Sequence, residues 1–129
     1  MSRAALALIG ILVGLGLFAG GLAWVLDTPK FPPGTPRVAR LYLGLCATCH
    51  GADGRGSWRS AIFLMRPRNL ADGVGSGDQM DLYRFDIIKN GGAPIGRPGM
   101  PAFGGSLSDD DIRALVSYLR TLAQDGKRS

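Results

Sequence analysis

The 129-residue chain has a single histidine and only two cysteines, and the two cysteines lie three positions apart. A zinc site needs more Cys or His ligands than these, so structural zinc is excluded. Charge is missing altogether from Ala4 to Leu26, as are Asn, Gln and Pro. Basic residues never form a block: 15 Lys and Arg stand against 10 Asp and Glu, for a net charge of +5. Arg3, Lys30, Arg37 and Asp27 fall outside the folded part, which retains 12 basic and 9 acidic residues. That excess suits an acidic partner surface and falls short of a nucleic-acid footprint, so no nucleic-acid partner is expected. No stretch alternates apolar and polar residues over the length of a strand, and no internal repeat is present.

What is there begins with the uncharged run. Its 23 residues would make about 34 Å of helix at ~1.5 Å per residue, enough to cross a hydrocarbon core of ~30 Å. The alternative is a cleaved secretory signal, whose apolar core is usually ~7–15 residues; the best small-residue cleavage site would be Gly21-Leu22-Ala23. Gly10 and Gly14, and Gly16 and Gly20, are spaced four apart. Such spacing lets a second membrane helix approach closely, although glycine is also simply frequent in membrane helices. Arg3 before the run and Lys30, Arg37 and Arg40 after it leave its orientation undecided by charge.

Residues 27–37 carry four prolines and read as a semi-rigid spacer. Val38, Leu41, Tyr42 and Leu45 then fall on one helical face. A second helix is expected over Asp81–Lys89, with Leu82, Phe85 and Ile87 or Ile88 inward and Gly91-Gly92 ending it. A third is the clearest. Ser108 is a good N-cap, Asp109, Asp110 and Asp111 complement the helix dipole, and Ile112, Leu115, Val116 and Leu119 make one stripe. The expected organisation is an anchor over 1–26, a linker over 27–37, an all-α domain over 38–124 and a tail over 125–129. A domain of roughly 90 residues has a small core, and domains that small often lean on a metal, disulfide or ligand.

Cys46-Ala47-Thr48-Cys49-His50 has the C-x-x-C-H form by which haem is attached covalently. Two thiols one helical turn apart can each add to a haem vinyl group, which places the adjacent imidazole at the iron. A thioredoxin-like pair would want a βαβ context, and a disulfide between residues three apart on a helix has poor geometry. His50 being the only histidine, a second axial ligand from this chain falls to methionine, the usual partner in electron-transfer sites. Met1 lies beyond the anchor, and Met65 and Met80 read as core filler. Met100 sits in Gly99-Met100-Pro101, where glycine permits close approach and proline blocks a helix. Met100 is therefore the expected ligand, with Met80 as the alternative.

Leu41-Tyr42 with CATCHG at 46–51, the stretch Asp81 to Gly92 with GMPAF at 99–103, and LSDDDIRALVSYLRTL at 107–122 together resemble a class I cytochrome c of the membrane-anchored, periplasm-facing bacterial type. The resemblance covers most of residues 38–122. It implies three to five helices around one covalent haem c, preceded here by one transmembrane helix, with first and last helices meeting through Tyr42, Leu115 and Tyr118. Val38 stands where the family often has glycine. A proline carbonyl that accepts the Nδ1–H of the axial histidine is also implied, and Pro67 is the best match. Such a bond orients the ring and strengthens it as a ligand. Arg55, Arg59, Arg66 and Arg68, with Trp58 among them, could hold haem propionates, mark a docking surface, or form only a solvated face. Trp58, Arg59 and Arg68 are the propionate candidates.

Iron held by His50 and Met100 has no open position for substrate, so the expected role is single-electron transfer rather than enzymatic catalysis, as a tethered shuttle or a fixed subunit of a membrane oxidoreductase. The resemblance places the haem domain in the periplasm and the N-terminus in the cytoplasm. Expected partners are redox proteins with an acidic docking surface and membrane subunits against the glycine-rich span. The competing role is a haem-based gas or redox sensor whose methionine ligand is displaced.

Overall fold

The computed structural model describes residues 2–27, 31–62, 65–72 and 77–126. The chain divides into two compact units, Met1–Lys30 and Phe31–Ser129. The first holds one helix, α1 (Arg3–Leu26), whose N-terminus is capped by the Ser2 hydroxyl accepting the Ala5 N–H at 3.3 Å. None of its residues is buried, and it is long and apolar enough to cross a membrane.

In the second unit, α2 (Arg37–Leu41) runs through a π-helical turn (Tyr42–Cys46) into α3 (Ala47–His50). Then come α4 (Trp58–Ile62), α5 (Asp78–Asn90), a 3₁₀ turn (Ala93–Ile95) and α6 (Asp109–Gly126). Every regular element among the described residues is helical, as the sequence pattern requires. The proline-rich stretch contributes to this unit from Phe31 onward: Thr35 N–H donates to Pro32 O at 3.2 Å, and the Phe31 ring lies beside Gly44. Residues 28–30 of the expected spacer and residues 127–129 of the expected tail lie outside the described residues.

The core is built on α6. Its stripe of Ile112, Leu115, Val116 and Leu119 packs with Ile88 of α5 and with Tyr42, which is 0% exposed. The Tyr42 ring stands 5.3 Å from that of Tyr118 at 50°, the tilted arrangement that aromatic quadrupoles favour. At the start of α6, the Ser108 hydroxyl accepts the Asp111 N–H at 3.1 Å. The same carboxylate takes both ends of the Arg37 guanidinium at 3.0 Å, and Asp109 takes the Lys89 ammonium at 2.8 Å. These pairs seat the N-terminus of α6 against α2 and against the C-terminal end of α5. Asp81 pairs with both Arg84 and Arg120, which ties α5 to α6 again.

Leu82 differs from the expectation: it is 69% exposed. Ile88 is buried and Phe85 packs against the core as expected, and Met80, Tyr83, Arg84 and Ile87 add a neighbouring face that lines the interior. Tyr83 and Arg84 were not expected there, because a hydrophobic pattern does not mark polar side chains.

Candidate functional site

The helix Arg37–His50 delivers the C-x-x-C-H motif through its π turn. There the Ala47 N–H donates to Tyr42 O, five residues back, so one extra residue is accommodated between the core-facing Tyr42 and the motif. π turns of this kind cluster at functional sites. The helix stops at Gly51, which has φ +79°, and a Cβ there would lie 2.5 Å from Gly56 O. Only glycine fits. The loop that follows satisfies the carbonyls left open by the helix end: Gly56 N–H donates to His50 O at 2.7 Å, and Ser57 N–H to Cys49 O at 3.0 Å. Tyr42 Oη adds a donation to Gly51 O at 2.8 Å.

Cys46, Cys49 and His50 open into a cavity of about 490 Å³ in the middle of the core. Tyr42, Ile88, Leu115 and Leu119, four of the six side chains that form the buried core cluster, also line it. A domain of this size has few buried side chains to spare, yet here most of the buried core cluster faces a cavity instead of other side chains. The domain is therefore shaped around a large, mostly apolar group, and the volume falls within the ~300–1,000 Å³ usual for cofactor sites.

Met100 lines the cavity from the loop after α5. Gly91 N–H caps α5 by donating to Ile87 O at 2.8 Å, Gly92 N–H donates to Met100 O at 3.0 Å, and Met100 N–H donates to Arg97 O at 3.1 Å. A Cβ on Gly92 would run into Arg97 O, so glycine is required where the loop doubles back. Met65 and Met80, read from sequence as core filler, line the cavity as well.

The carbonyl facing the His50 ring is that of Arg68, 3.2 Å from Nδ1, and not that of Pro67. Pro67 does line the cavity. Along a non-helical stretch consecutive carbonyls point to different sides, so a shift of one residue decides which of the two reaches the ring. With Nδ1–H donating to Arg68 O, Nε2 keeps its lone pair for a metal. Burial holds the imidazole pKa below its usual range despite that hydrogen bond, which keeps the ring neutral as a ligand requires. Burial first, and then the neighbouring Cys49, push the Cys46 thiol up to about 11. Reactive redox cysteines have depressed thiol pKa values, so Cys46 is unlike them.

Four arginines, Arg66, Arg68, Arg84 and Arg97, line the otherwise apolar cavity. Burial, and then the nearby Arg68, lower the Arg84 pKa, so Arg84 brings a partly desolvated guanidinium to this space beside a second positive charge. That arrangement suits carboxylates carried by an apolar group. Trp58 and Arg59 are not among the lining residues; the Arg59 guanidinium instead lies 5.5 Å from the Trp58 ring centre. Sequence reading missed Arg84 and Arg97. The i, i+3, i+4 spacing of Met80, Tyr83 and Arg84 was the signal for the first, and no local pattern marks the second. Leu45 and Ile95 line the cavity while 43% and 42% exposed, so the group inside presents an edge near the surface.

Comparison with known proteins agrees with this chemistry. A family model described as Cytochrome C oxidase, cbb3-type, subunit III matches residues 34–119. The chain is also 33% identical over 96 residues to the protein named Cbb3-type cytochrome c oxidase subunit FixP from Azorhizobium caulinodans, an alignment covering 73% of this chain and 29% of that protein. The chain thus matches less than a third of that relative's length. The family match takes in every wall of the cavity, from Tyr42 to Leu119, and on it the chain belongs to the cbb3-type cytochrome c oxidase subunit III family and is a c-type cytochrome.

Proposed function

We propose that the chain binds one haem c, covalently through Cys46 and Cys49, with His50 and Met100 as its axial ligands, and that it passes single electrons to or within a membrane oxidase complex. The observation that carries this reading is the convergence of both thiols, the only imidazole and the Met100 loop on one apolar cavity of about 490 Å³. When bound, the haem supplies a one-electron couple, and a thioether axial ligand raises its potential.

The chain's own residues do the rest. Arg68 O orients the His50 ring, and the Gly92–Met100 and Met100–Arg97 hydrogen bonds hold the sulfur-bearing loop in place. Tyr42, Ile88, Leu115 and Leu119 exclude water from one side. Arg68 is retained as a propionate contact and is joined by Arg66, Arg84 and Arg97; Trp58 and Arg59 would act from beside the site. With both axial positions filled by side chains the iron offers none to a substrate, so the chain serves as a non-catalytic electron carrier.

The relative's name makes it a subunit of a cbb3-type oxidase, and a place in such a complex is proposed here too. Helix α1 would anchor the chain in the cytoplasmic membrane, N-terminus inside and haem domain in the periplasm, with its glycine spacing turned to another membrane subunit. The basic excess suits a partner with an acidic docking face.

A pyridine haemochrome assay on exported protein, run with Cys46→Ala/Cys49→Ala, tests attachment. The double variant should carry no covalent porphyrin. Met100→Leu should erase the weak red-edge ferric absorption of sulfur ligation; loss of that band in Met80→Leu instead would move the ligand to Met80.

A further inference from the structure

The short segment Met65–Arg68 touches both sides of the cavity. At one end, Arg68 O holds the His50 ring. Arg66 O accepts from the Arg97 guanidinium at 3.3 Å, which joins the segment to the loop that carries Met100. The other end is tighter. Met65 N–H donates to Ser60 O at 2.9 Å, and Ser60 is itself buried with its hydroxyl bonded to Ser57 O at 2.6 Å, so the backbone of Met65 is fixed to the middle of α4. Its side chain reaches Gly99, where a Cβ would lie 2.8 Å from Met65 Sδ and 3.3 Å from Cγ. The Gly99 backbone is not in the left-handed region, so conformational freedom does not explain glycine there. Space does: the Met65 thioether occupies the seat a side chain would take, one residue before Met100.

We propose that Met65 is a positioning residue, resting on the His50–haem–Met100 reading above, whose thioether seated on Gly99 sets where the Met100 sulfur stands. Met65 and Arg68 then belong to one strap that registers the two axial ligands against each other. An unbranched thioether suits this task, since it fills an irregular gap without a branch to clash. Met65 is not itself the ligand. Its contact is made with the backbone beside Met100, and its loss should alter the iron's environment without costing haem attachment, which depends on Cys46 and Cys49.

The test uses full-length holoprotein in mild detergent and compares wild type, Met65→Ala, Gly99→Ala and the double variant. In Gly99→Ala the new methyl group meets only the flexible end of Met65, so the thioether swings away and the protein still folds; this variant keeps the test open if Met65→Ala does not fold. Each single variant should retain full haem per chain, weaken or shift the sulfur-to-ferric band, and move the ferric/ferrous equilibrium constant in a fixed redox buffer by about three- to tenfold. Both singles remove the same contact, so the double variant should be no worse than either. Unchanged spectra and equilibrium in the singles, or effects that add in the double, would overturn the proposal. Loss of the band in Met65→Ala with its retention in Met100→Leu would also overturn it, by making Met65 the ligand. A wild type that carries no covalent haem or shows no sulfur band defeats the underlying reading, and is distinguished because it appears before any variant is compared.

Discussion

Tyr42 joins the core to the turn beyond His50, and its replacement separates two energies. Its hydroxyl donates to Gly51 O at 2.8 Å, while its ring, fully buried, packs on Tyr118. In Tyr42→Phe the ring pair stays and the hydrogen bond goes. Gly51 O keeps a second donor, the Gly54 N–H at 3.2 Å, so the carbonyl is not stranded. The cost is then that of one net hydrogen bond, about 0.5–1.5 kcal/mol. For a domain of this size that lowers Tm by about 4–8 °C per kcal/mol. Tyr42→Leu also loses the aromatic pair, about 0.5–1.5 kcal/mol, and leaves part of the ring's volume unfilled, for a total of roughly 2–4 kcal/mol. Urea unfolding of the holoprotein in detergent would measure both, and a cycle with Tyr118→Leu would isolate the ring–ring energy. If Tyr42→Phe is neutral within about 0.5 kcal/mol and the cycle shows no coupling, the buried tyrosine is not the link argued here.

Asp111 lies below the usual carboxylate pKa range, first through its hydrogen bond with Arg37 and then through Ser108. A lowered folded-state pKa contributes stability fully above the unfolded value of ~3.9 and loses it as pH falls through the folded value, so Asp111→Asn should flatten the acid limb of a stability–pH curve below about pH 4. Asp109 is lowered in the same way by Lys89, so part of the limb should survive, and an unchanged limb would refute the assignment. Gly51→Ala puts a side chain at φ +79° and against Gly56 O, and should cut the yield of haem-loaded protein several-fold; a normal haemochrome yield would show that the turn after His50 tolerates rebuilding. Carbon monoxide added to reduced holoprotein at neutral pH should leave the Soret band in place, because two backbone hydrogen bonds pin the Met100 loop. A prompt shift would favour a displaceable ligand and a sensing role.

Much of the site was legible in the chain because its signals are local. C-x-x-C-H is a contiguous motif whose spacing is itself the chemistry, and the stripe of Ile112, Leu115, Val116 and Leu119 follows from helical periodicity alone. Ser108 and the Gly91 stop were readable for the same reason: caps are made by neighbours in sequence. The Tyr83 and Arg84 part of the α5 face was not. Arg84 lines the cavity although it is charged, and a polar residue on an apolar face is invisible to a hydrophobic pattern.

By itself, then, the order of residues determined the helical class, the membrane-length run, the two thiols with their imidazole, and the short set of methionines that could oppose it. Only the folded chain decided the contacts between segments far apart in sequence: that Arg68 rather than Pro67 turns its carbonyl to His50, that Arg97 joins the cavity while Trp58 and Arg59 stay off it, and that Met65 rests on Gly99. Local hydrogen bonding and periodicity act over a few residues and are written in the sequence. Which carbonyl or side chain meets a partner thirty positions away depends on how loops close over a shared core, and a shift of one residue in such a loop changes the answer.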